Sequence, residues 1–103
     1  MNEYYRLDEN HVAVPCALLE WAKMFEDTDA RRVARDEEGD IFVSTVFLGM
    51  NHNWGDVPPL LFETMIFGGE SDEDTWRYST WQQAVDGHKK ACGVAGISAR
   101  GES

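Results

Sequence analysis

Basic residues are scarce in this chain: nine Lys and Arg stand against nineteen Asp and Glu over 103 residues, a formal net charge of −10 at pH 7. Binding a nucleic-acid backbone or an anionic bilayer depends on Lys and Arg displacing counterions, so direct binding of either is not expected. Long apolar runs are lacking too. Stretches 41–48 and 57–67 are broken by Ser44, Thr45, Pro58, Pro59, Glu63 and Thr64, and neither approaches the roughly 20 residues that span a bilayer. The first residues, Met1, Asn2, Glu3 and Tyr4, form neither a basic region nor a long apolar one, so a secretory leader is not expected. Cysteine is down to Cys16 and Cys92, with no CxxC pair. Both fall in expected helices as small buried hydrophobes, which suits a reducing, cytoplasmic compartment. No pair among His11, His52 and His88 has ligand spacing, so neither a metal nor a cofactor is expected. Phosphate-binding glycine loops and nucleophile elbows are missing as well, and no catalytic residue is assigned.

What is present suffices for one folded domain, with 43% hydrophobic and 12% aromatic residues. Residues 4–7 and 12–14 read as short strands around a polar turn at 8–11. Pro15 suits the first turn of a helix over 16–27, where Leu18, Trp21 and Phe25 form one apolar stripe. Residues 30–36 and 40–48 read as strands joined at Glu37, Glu38 and Gly39. The run 41–48 is apolar on both faces, as a central strand is. A loop over 49–59, a strand over 60–67, an acidic turn over 70–74 and a strand over 75–78 follow. Ser79 caps a last helix, with Gln82 reaching back three positions later. Trp81, Ala84, Val85, His88 and Cys92 share one face of that helix, with His88 read as a satisfied core histidine. Beyond Gly93 the pattern is lost, so the domain is expected to span 1–92 and a tail 93–103. The expected fold is α+β: a short amino-terminal hairpin, an antiparallel meander of about four strands, and two helices on one sheet face, where Trp21, Phe25, Trp81 and Val85 meet the strands.

In a meander, alternate turns share one end of the sheet. Asp36, Glu37, Glu38 and Asp40 in the first turn then lie near Glu70, Asp72, Glu73 and Asp74 in the third, their centres about 10 Å apart across two strand spacings. Arg35 is the nearest expected counter-charge. Eight carboxylates on one end suggest a docking surface for a basic protein, imitating the spaced negative charge of a nucleic acid. At the opposite end, Asn51, His52, Asn53, Trp54 and Asp56 offer an alternative ligand loop for a small anion or nucleotide, with His52 as base beside Asp56. Glu63, in an apolar strand, needs a partner, with Arg77, Arg31 and Arg35 as the choices.

The strings VSTVFLGMNHNWG (43–55), PPLLFETMIFGG (58–69), RYSTW (77–81) and GH (87–88) resemble a family of small proteins in tailed-bacteriophage genomes and prophages. LEW (19–21), FE (25–26) and RRVA (31–34) resemble its amino-terminal part, so the likeness runs from about residue 14 to 88. Asp56 and Val57 stand where that family's loop would be richer in glycine. The resemblance implies a phage accessory protein working in the host cytoplasm and carries over no catalytic residue. Joined to the acidic turns, it suggests an anti-defence inhibitor, of the kind that blocks CRISPR complexes, bound to a basic nucleic-acid-binding host complex. A small-molecule-binding protein and a virion assembly component are the alternatives.

Overall fold

A computed structural model describes residues 4–51 and 58–100. Strand β1 (Tyr5–Leu7) pairs antiparallel with β2 (Ala13–Pro15). Asp8 makes the turn between them by accepting the amide N–H groups of Asn10 and Val12, at 2.8 and 2.9 Å. Helices α1 (Leu18–Glu26) and α2 (Thr28–Arg31) follow. The main sheet is then laid down in sequence order as β3 (Arg32–Glu38), β4 (Ile41–Phe47), β5 (Phe62–Phe67) and β6 (Thr75–Tyr78), every neighbour antiparallel. Helix α3 (Trp81–Ala95) closes the fold. The α+β meander with its separate hairpin is therefore the fold of this chain.

Alternation along the strands sets the core. Val43, Thr45 and Phe47 of β4 and Phe62, Thr64 and Ile66 of β5 are buried, while the residues between them are half-buried. A register shift between Arg32 and Ala34 lets consecutive residues Val33 and Ala34 both turn inward, as a bulge does. Helix α3 lays Ala84, Val85, His88, Ala91 and Cys92 on that face. Its approach is set by Gly87, where a Cβ would come within 2.2 Å of the Tyr78 ring.

Local details differ from the sequence expectation in instructive ways. The cap of α3 is Thr80, not Ser79, and Gln83, not Gln82, completes the box. Gln83 Oε1 accepts both the Ser79 and Thr80 N–H groups, so the first turn begins one residue late. Pro15 ends β2 instead of opening a helix, and Cys16 precedes α1. Helix α1 has no fully buried residue. It packs on α2 and β1, and it is pinned to the end of β4 by the Trp21 indole N–H, which donates to the Leu48 carbonyl at 3.0 Å. Phe25 is not a core residue: it is 37% exposed and lies under the Arg31 guanidinium, 3.7 Å from its ring centre.

The carboxyl-terminal segment departs furthest. Helix α3 runs on past Cys92 to Ala95, and Gly96 ends it in the left-handed conformation (φ 79°) that glycine adopts without strain. Ile97 then packs against Val43, Ile66, Ala91 and Cys92. The Ser98 N–H donates to the Glu38 carboxylate and the Arg100 N–H to that of Asp36. Residues 97–100 are thus fastened along β3, where a tail starting at residue 93 was expected. Among the described residues no helix is long and apolar enough to cross a membrane.

Candidate functional site

The meander brings the β3–β4 and β5–β6 turns to the same end of the sheet. They touch. A Cβ on Gly68 would lie 2.3 Å from the Asp40 carbonyl oxygen, and one on Gly69 would meet the Ile41 side chain. The third turn is tightly built: Asp72 accepts the Gly68 N–H at 2.6 Å, and Glu73 sits at φ 72°, its N–H donating to the Ile66 carbonyl.

The eight acidic residues expected here do not form one set. Asp36 is buried and faces α3, away from the platform. A strand alternates faces, so a carboxylate two residues before the turn is carried inward when Val33 and Ala34 have shifted the register. Glu38 is engaged with Ser98, and Glu37 lies 3.6 Å from Arg35. Asp40, Glu70, Asp72, Glu73 and Asp74 are exposed. Among the described residues, no Lys or Arg lies within ion-pairing distance of these five. What remains is a compact anionic platform in solvent, with Glu37 and Glu38 at its border.

A polar chain runs across the α3 face of the sheet, from Asp36 near the platform to Tyr78 at the other end. The Tyr78 hydroxyl is hydrogen-bonded to Thr64, and Thr64 Oγ1 to Thr45 Oγ1. Thr45 Oγ1 lies 2.7 Å from His88 Nδ1, and His88 Nε2 lies 2.8 Å from Asp36 Oδ2. Cys92 Sγ is 3.6 Å from His88 Nε2 and 3.8 Å from the same Asp36 oxygen. Every buried side-chain N and O among the described residues has a partner, as stable burial requires. Burial and the adjacent Asp36 carboxylate push the Cys92 thiol up to about 11, and burial raises Tyr78. Although hydroxyl, imidazole and carboxylate are in line, Thr45 is fully inaccessible and cannot meet a substrate. The His88 expectation of a satisfied core histidine holds. The grouping of Asp36, His88 and Cys92 within 4.8 Å goes beyond the sequence expectation, which places Asp36 in the exposed turn; the four-residue spacing of His88 and Cys92 is the one signal of it in the sequence.

Glu63 takes the first of its three possible partners: Arg77 sits opposite it across β5 and β6, with Nε donating to Oε2 at 3.0 Å. His11 is exposed in its turn and stacks on Trp81, ring centres 3.8 Å apart. Of the alternative ligand loop, Asn51 is half-buried, and His52, Asn53, Trp54 and Asp56 lie outside the described residues. No family model, no curated protein and no solved structure matches the chain.

Proposed function

We propose that this protein is a binding protein whose anionic sheet end, built from Asp40, Glu70, Asp72, Glu73 and Asp74, docks on a basic protein surface. The observation that carries the reading is the contact between the two turns, which pools their carboxylates with no Lys or Arg of the described chain among them. A net charge of −10 extends the same field and speeds encounter with a cationic partner. Resemblance to small tailed-phage proteins directs the search to bacterial nucleic-acid-binding complexes in the host cytoplasm, including defence complexes, where such a platform occupies the groove of the nucleic acid.

The test replaces Asp40→Asn, Glu70→Gln, Glu73→Gln and Asp74→Asn together. Asp72 and Glu38 are kept, because they hold the turn and the carboxyl-terminal segment. Wild-type protein immobilised in host lysate is expected to retain a basic nucleic-acid-binding protein that the quadruple variant loses at least a hundredfold, and that moderate salt releases. Equal retention by both forms ends the reading.

A further inference from the structure

We propose that Asp36, His88 and Cys92 form a binding site for one thiophilic divalent cation of the zinc class. The site is independent of the acidic platform. It joins two elements that are far apart in sequence: Asp36 comes from β3, while His88 and Cys92 lie one turn apart on α3. All three are buried, with exposures of 8%, 3% and 1%.

The distances suit a tetrahedral ion. With metal–nitrogen and metal–oxygen bonds near 2.0 Å and metal–sulfur near 2.3 Å, tetrahedral ligand atoms stand about 3.3 Å apart for N and O and about 3.5 Å apart for pairs with S. The Cys92 separations of 3.6 and 3.8 Å already match. The 2.8 Å gap between His88 Nε2 and Asp36 Oδ2 must widen by about half an ångström. The surroundings are those of a supported site. Thr45 Oγ1 can accept a hydrogen bond from the His88 Nδ1–H, fixing the ring with Nε2 free to ligate, and the Arg100 N–H holds the other Asp36 oxygen.

Charge and access agree with the geometry. A carboxylate and a thiolate offset the two charges of the ion, so the filled site buries no net charge. On binding, the thiol proton leaves, and the imidazole keeps one proton, now on Nδ1. Asp36 and His88 line a cleft of about 230 Å³ with Ala34, Val85, Lys89, Ala99 and Arg100. That cleft supplies the entry path and a fourth position for water.

The experiment uses the full chain carrying Cys16→Ala, which leaves Cys92 as its one thiol. Dialysed against zinc and passed over a chelating resin, it is expected to keep one equivalent per chain. With cobalt(II) it is expected to show a thiolate-to-cobalt charge-transfer band and tetrahedral d–d absorption. Adding Cys92→Ala should weaken binding at least a hundredfold while the circular dichroism stays that of the folded protein. No retained equivalent, no charge-transfer band, or undiminished binding after Cys92→Ala overturns the site. If Cys92→Ala fails to fold, the band in the Cys16→Ala chain decides alone, since its sulfur ligand can come only from Cys92.

Discussion

Asp36 and Asp40 stand four residues apart in one acidic stretch, yet they belong to regions governed by different physics. Asp40 joins exposed carboxylates whose mutual field is screened by water and salt. Asp36 is enclosed with an imidazole and a thiol, in a chain that runs on to two threonine hydroxyls, where each polar group is paired with its neighbour in a medium that screens charge far less than bulk water does. The lesson is that charge in the sequence reports composition, while strand parity and a bulge decide which charges face a partner and which hold the fold.

The sharpest way to break this contrast is to remove one member of the buried pair. Asp36→Val or His88→Leu each strands a buried polar partner, and each is expected to cost about 3–5 kcal/mol, read from the urea midpoint at constant m-value. Combining Asp36→Val with His88→Leu should recover part of that loss, since both partners then become apolar. Additive losses in the double variant would show that the two side chains do not depend on each other.

Gly87→Ala comes next. The new methyl meets the Tyr78 ring 2.2 Å away, so α3 must lift from β6. Overpacking of this kind costs about 1–3 kcal/mol. The loss should fall on the buried chain that starts at Tyr78 and leave partner binding at the platform intact. A variant as stable as wild type would mean that the helix seat is looser than the geometry requires.

These two cases show where the sequence could be read and where it could not. The strands were legible because 41–47 and 62–67 are rich in β-branched and aromatic residues, and Gly39 and the glycines at 68–69 mark their ends. The meander, and with it the placement of both acidic turns at one end of the sheet, followed from antiparallel order alone, whereas their contact at Gly68 and Asp40 is a finding of the structure. Asp36 was not legible: a bulge at Arg32–Ala34 has no signature in residue type, and without it the parity of β3 is undefined. Residues 97–100 were equally opaque, because backbone N–H groups donating to Glu38 and Asp36 leave no trace in side-chain pattern. Trp21 and Phe25 had helical spacing, but spacing names a face and not what that face covers.

An alkaline limb separates the regions by pH. Burial raises the Tyr78 hydroxyl above its ordinary range. The unfolded chain therefore gives up this proton at a lower pH than the folded chain. Stability is whole below the ordinary tyrosine value of about 10 and falls as pH rises from there toward the folded value. Urea midpoints taken between about pH 8 and pH 11 should decline, and Tyr78→Phe should flatten the part of the limb due to this group. A limb unchanged in Tyr78→Phe would remove Tyr78 as its cause.

The smallest effect belongs to the platform. Neutralising Asp40, Glu70, Glu73 and Asp74 removes no ion pair and no capping hydrogen bond seen among the described residues, so nothing in the folded state is lost. Each change is expected to shift stability by less than about 0.5 kcal/mol, and the sum should be favourable because like charges on adjoining turns repel. The sign can be checked through salt. The gain in melting temperature should be largest at low ionic strength and vanish near 1 M, where the screening length falls to about 3 Å. A quadruple variant that is instead destabilised, at every salt concentration, would mean that these carboxylates serve the fold as Asp36 does, and the division between the two regions would fail.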